Sequence, residues 1–155
     1  MRVENEVLIA ELARLLAEEK EVQFTPSGNS MRPFIEGDED SVVLAPMVRK
    51  PRRGDIVLAH ATAANGRKVY VLHRIVAIKR YGDSTVFVLQ GDGNLSGFER
   101  CSSDDIIGRV IRVLTKDGQR KWQTRGFIWY RLRPIRKYLL KIYRKLFRKN
   151  TNANG

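Results

Sequence analysis

Between residues 41 and 114 the chain is built from five short runs rich in Val and Ile, at 41–44, 56–61, 68–78, 85–90 and 106–114, with Gly, Asp or Asn between each and the next. β-Branched side chains pack well on a pleated surface and lose rotamer freedom in a helix, so runs of this length bounded by turn formers read as strands. The pattern restricts the chain to a mainly β body. Asn65-Gly66 marks a hairpin of the kind whose two central residues take positive φ, and Tyr81-Gly82-Asp83 closes the next. Residues 60–90 are therefore expected to run as consecutive antiparallel strands.

Helical spacing brackets this body. From Glu4 to Lys20, the residues Leu8, Ile9, Leu12, Leu15 and Leu16 recur at three- and four-residue steps among strong helix formers. Beyond Trp122 the helical period returns, with Pro134 placed to sit at a helix start. A chain of 155 residues, 43% of them hydrophobic, suffices for one core and is short for two. The expected organisation is an N-terminal amphipathic helix (1–20), a β-rich domain (21–117) and a basic amphipathic tail (118–155).

The charge is not evenly spread. All 17 acidic residues precede residue 118, whereas 12 of the 29 basic residues follow it, so the net charge of +12 belongs to the tail. Something acidic should attract it, either nucleic acid or an anionic membrane surface. No stretch approaches the roughly 20 apolar residues that cross a bilayer. The run Val7-Leu8-Ile9-Ala10 is cut by Glu11 and Arg14 and lacks a signal peptide's basic start and cleavage site. The chain is thus expected in the cytoplasm, soluble or on the membrane surface. Cys101 is the single cysteine and has no ligand-type spacing with His60 or His73, so we expect an inert, half-buried thiol and neither metal nor cofactor.

The segment 25–38, Thr-Pro-Ser-Gly-Asn-Ser-Met-Arg-Pro-Phe-Ile-Glu-Gly-Asp, sets two Pro, two Gly and an Asn around Ser30. Pro33 removes a backbone donor and Gly28 invites unusual dihedrals, so regular structure is excluded and Ser30 sits on a constrained loop. A nucleophilic serine needs such a place, with its hydroxyl on fixed backbone and amides converging where an oxyanion forms. Turns also favour serine for structural reasons alone.

Four blocks in order carry more information: Ser27-Gly28-Asn29-Ser30-Met31-Arg32-Pro33, Arg53-Gly54-Asp55-Ile56-Val57, Leu72-His73-Arg74-Ile75-Val76 and Gln90-Gly91-Asp92-Gly93-Asn94. Together they resemble the signal-peptidase I family and its relatives, the self-cleaving repressor peptidases, over about residues 23–113. The resemblance implies a coiled β-sheet body with an SH3-like barrel and a serine peptidase activity. By position Ser30 is the implied nucleophile, and the general base lies in the third block. Bacterial signal peptidases and the repressors use lysine there, whereas signal peptidases of the endoplasmic-reticulum type have histidine followed by arginine. His73-Arg74 is similar to that Ser/His branch. A histidine near its reference pKa of about 6.5 is a competent base at neutral pH, while a lysine must first be desolvated.

Asp92 resembles the aspartate that supports the histidine, and a carboxylate fixes an imidazole's tautomer. It is equally placed to cap the Gly91-Asp92-Gly93 turn, and because the endoplasmic-reticulum branch uses a later acid, Asp104 is the reserve. His60 matches no block and is read as structural. Many relatives carry a hydroxyl two residues before the nucleophile; that position is Gly28 here, with Ser27 one residue further, so backbone amides including that of Ser30 are the implied oxyanion donors. The implied substrate is an extended peptide with small residues before the cut. Phe34 and Ile35 suit either its pocket or the core.

A self-cleaving repressor would need a DNA-binding module and an Ala-Gly or Cys-Gly bond, and this chain holds neither. The other class is a peptidase body that has lost activity and acts as a membrane- or nucleic-acid-binding module. In the tail, Ile135, Leu139, Ile142 and Leu146 form an apolar face with Tyr138, Tyr143 and Phe147 beside them, opposite Lys137, Lys141, Arg144, Lys145 and Arg148. Phe127-Ile128-Trp129-Tyr130 precedes it. An anionic membrane surface is the expected partner. The alternatives are docking of the apolar face on the β body and, less favoured by so wide an apolar side, nucleic acid.

Overall fold

The computed structural model describes residues 6–118, 120–121 and 132–148. The element order is α1 (Glu6–Ala17), β1 (Val22–Phe24), β2 (Ser41–Ala45), β3 (Ile56–Thr62), β4 (Lys68–Tyr81), β5 (Ser84–Gln90), β6 (Glu99–Cys101), β7 (Ile106–Leu114), β8 (Arg120–Lys121) and α2 (Arg133–Arg148). The eight strands form one sheet in the order β1-β2-β7-β3-β4-β5-β6, with β8 on β7. Among the described residues every pairing is antiparallel, and Thr62 opposite Arg100 also joins β3 to β6.

The two hairpins form where the turn residues place them. At the first, Gly66 N donates to Ala63 O at 2.9 Å, and Gly66 has φ 79° while Asn65 keeps negative φ. This differs from the expected pair of positive-φ residues: one residue in the left-handed region follows an ordinary turn, as in hairpin loops longer than two residues. Only Gly enters that region without a Cβ penalty. At the second, Tyr81 faces Ser84 across the turn at Gly82.

Strand β3 shows why a mainly β chain of this size needs both helices and loops as cover. Its alternate side chains point to opposite faces. Ile56 and Leu58 join one cluster with Ile9, Leu12 and Leu16 of α1 and with Met31 and Ile35, while Val57, Ala59 and Ala61 join a second with Ile75, Phe87 and Leu89. Removing α1 would open the first cluster to water. In α1 the buried stripe is Ile9, Leu12 and Leu16, with Leu15 half-buried and Leu8 exposed. β1 and β6 have three residues each, too short to show a period, and were not anticipated from the sequence. No helix among the described residues is long and apolar enough to cross a membrane. The cluster 127–130 lies outside the described residues.

Candidate active site

The loop from β1 to β2 is anchored from below. Pro26, Met31 and Ile35 are fully buried, and burying side chains of the last two kinds contributes about 1.5–3 kcal/mol each. Phe34 N and Ile35 N both donate to Met31 O at 3.1 Å, and Asp38 N donates to Pro26 O at 2.9 Å. Ser30 stands half-buried at the head of this turn. The loop after β5 pins it from the side: Gly93 N donates to Ser30 O at 2.7 Å. A Cβ on Gly91 would lie 2.4 Å from that same carbonyl oxygen, so the approach of the two backbones requires glycine.

His73 comes from β4, where Val57 faces it on β3. It is 3% exposed. Ser30 Oγ lies 2.9 Å from His73 Nε2, and His73 Nδ1 lies 2.8 Å from Glu99 Oε2, from β6. An ionised carboxylate only accepts hydrogen bonds. With Glu99 in that form Nδ1 carries the imidazole proton, and Nε2 is left to accept the Ser30 hydroxyl. Burial holds the His73 pKa below its ordinary value, opposed by the bond to Glu99 and, more weakly, by the charges of Glu99 and Asp92. The neutral, proton-accepting form is thereby favoured at neutral pH.

Beside this line sits a buried ion pair. Arg74 Nε and Nη2 donate to Asp92 Oδ1 and Oδ2 at 2.8 and 2.6 Å, and Arg74 Nη1 donates to Gly54 O at 2.9 Å. The guanidinium also lies over the Phe34 ring, 5.5 Å from its centroid. One side chain therefore ties β4 to the loops carrying Gly54, Phe34 and Asp92. Three of the four sequence blocks meet at Arg74, and Phe34 directly follows the first.

Ser30 and His73 are thus brought within hydrogen-bond distance. Asp92 lies next to them, but both its carboxylate oxygens take Arg74, and the Nδ1 bond of His73 goes to Glu99 instead. Asp104 is exposed in the turn before β7. Ser27 and Gly28 are exposed, Ile35 is core, and Phe34 is the platform under Arg74. His60 stacks on Tyr70 with ring centroids 4.5 Å apart. Cys101 is buried, which pushes its thiol pKa up to about 12 and leaves it protonated.

Glu99 is the residue that sequence reasoning missed. The aspartates after Asp92 are Asp104, Asp105 and Asp117, and Glu99 falls in a strand with no visible period. A glutamate is one methylene longer than an aspartate and carries the same carboxylate, and Glu99 is the first acid after Asp92. Among the described residues no group of three His, Cys, Asp or Glu is placed to hold a metal ion. Compared with family models, curated proteins and solved structures, the chain finds no match.

Proposed function

We propose that this protein is a serine endopeptidase of the signal-peptidase type, cleaving an extended peptide by acyl transfer. The observation that carries the proposal is the unbroken hydrogen-bond line from Ser30 Oγ through His73 to Glu99. The bond from Nδ1 to Glu99 orients the ring, and Nε2 takes the Ser30 proton as Oγ attacks the scissile carbonyl. Backbone amides of the Ser30 turn are the proposed oxyanion donors. His73 then returns the proton to the leaving amine as the C–N bond breaks, and water releases the acyl group by the same route. Glu99 stabilises the imidazolium in both halves.

The signal-peptidase-like coiled sheet with an SH3-like barrel belongs to the same proposal. It is supported by the pairing of Thr62 with Arg100, which returns β6 to β3 and makes a circuit of β3, β4, β5 and β6.

A fluorophosphonate probe tests the chemistry without a known substrate. Labelling is expected at Ser30, should vanish on denaturation, should be absent in Ser30→Ala, which lacks the reacting oxygen, and should fall by about 10⁴- to 10⁶-fold in His73→Ala, which lacks the base. A folded wild-type protein that takes no label would instead be a binding module on a peptidase body.

A further inference from the structure

Helix α2 leaves much of its broad apolar face exposed. Among the described side chains of α2, those that meet the body include Arg136, Leu140 and Tyr143, at i, i+4 and i+7, with Leu139 half-buried beside them. Arg136 and Leu140 are 3% and 2% exposed. Arg136 Nη2 donates to Asn94 O, and Tyr143 Oη donates to Glu36 Oε2 at 2.9 Å. Both partners belong to the loops that position Ser30, since Asn94 follows Gly93 and Glu36 forms an ion pair with Arg32.

That contact turns the rest of the helix outward. Ile135, Tyr138, Ile142 and Leu146, at i, i+3, i+7 and i+11, are 47%, 57%, 57% and 63% exposed. At 1.5 Å per residue they make an apolar stripe about 16 Å long. On the side of the stripe away from the docked face stand Lys137, Lys141 and Lys145, all exposed. Lys137 Nζ lies 4.9 Å from the Tyr138 ring centroid. A helix whose whole apolar face served the fold would bury this stripe; α2 instead docks through the adjoining edge that carries Arg136, Leu140 and Tyr143.

We infer that the Ile135–Leu146 face of α2 is a binding surface for an anionic lipid bilayer, with the stripe at the headgroup boundary and the lysine row on the lipid phosphates. Charge decides between occupants. Residues 118–155 contain no acid, so this face of a second copy would offer the lysine row no counter-charge. Nucleic acid would engage the lysines and leave the stripe in water. An anionic bilayer satisfies both features at once. Because α2 is docked on the Asn94 and Glu36 loops, the bilayer would lie beside Ser30. The lipid-binding inference itself stands whether or not Ser30 is a nucleophile.

The test is cosedimentation of the full chain with vesicles of phosphatidylcholine, with and without phosphatidylglycerol. Binding is expected to need phosphatidylglycerol and to weaken in salt. The double variant Ile142→Ser/Leu146→Ser, whose side chains are exposed, should keep its thermal midpoint and weaken binding on the order of tenfold to a hundredfold. Lys137→Gln/Lys141→Gln/Lys145→Gln should weaken both the binding and its salt dependence, and Ser30→Ala should sediment as wild type. Three outcomes would overturn the inference: no sedimentation of the full chain, equal sedimentation of the serine double variant, or a stripe-dependent dimer in ultracentrifugation without vesicle binding. Binding of a labelled oligonucleotide that is indifferent to the stripe, without vesicle binding, would assign the lysines to nucleic acid instead.

Discussion

His73 Nδ1 and Glu99 Oε2 lie 2.8 Å apart although 26 residues separate them in the chain. The contact is made by strand pairing: β4 carries His73, β5 pairs with β4 through Leu89 and Ile75, and β6 places Glu99 opposite Leu89. If this bond fixes the tautomer, Glu99→Gln should reduce fluorophosphonate labelling at pH 7.5 by about 10²- to 10⁴-fold, as loss of an orienting carboxylate does elsewhere. Asp104→Asn, at an exposed turn, should label as wild type. Equal labelling of Glu99→Gln and wild type would remove Glu99 from the mechanism.

Asp92 should behave differently. Its pair with Arg74 is buried on both sides, with side chains 3% and 7% exposed, so removing one partner leaves a charge without water or counter-ion. Asp92→Ala is expected to destabilise the fold by about 3 kcal/mol in denaturant titrations. The double change Asp92→Ala/Arg74→Met should recover part of that loss. A variant as stable as wild type would show that the pair is not a structural tie.

The pH dependence follows from the burial of His73. Its pKa is held below the ordinary 6.5, so protonation, which removes the base, sets in only on the acid side of neutrality. Labelling should be flat from neutral pH upward and fall as the medium is acidified below pH 6.5. In Glu99→Gln the carboxylate that favours the imidazolium is gone, so the acid limb should move to still lower pH. The sign for stability is the same: the unfolded chain binds the proton more readily, so His73 makes the fold lose stability as pH falls from 6.5 through the depressed pKa. A rate still climbing above pH 9 would contradict a histidine base.

Gly91→Ala tests the positioning of the nucleophile. Its Cβ would meet the Ser30 carbonyl oxygen at 2.4 Å, and relief requires one of the two loops to move. A displacement near 1 Å costs on the order of 10² in rate. Labelling is therefore expected to drop about a hundredfold while far-UV circular dichroism is unchanged. Gly97→Ala, where the added carbon meets nothing within 4 Å, offers a control for loop strain, since Gly97 has φ 85°.

The sequence alone determined the strands at 41–44, 56–61, 68–78, 85–90 and 106–114, the two hairpins and the two terminal helices, because each rests on local steric preference and periodic burial within a few residues. It also carries the four ordered blocks whose resemblance to the signal-peptidase I family implies Ser30 and His73 as nucleophile and base. What it left undecided depends on pairing across long stretches of chain. Asp92 and Glu99 are both acids near the third and fourth blocks, and no local rule says which carboxylate faces Nδ1. The sheet decides, by giving Asp92 to Arg74 and bringing β6 against β5. The tail shows the same division. Helical period revealed an apolar face and a basic face, but only the tertiary contacts of Arg136, Leu140 and Tyr143 decide that α2 docks along one edge of the apolar face and leaves Ile135, Tyr138, Ile142 and Leu146 exposed, because a docking face is selected by the complementary groups the body presents at Asn94 and Glu36.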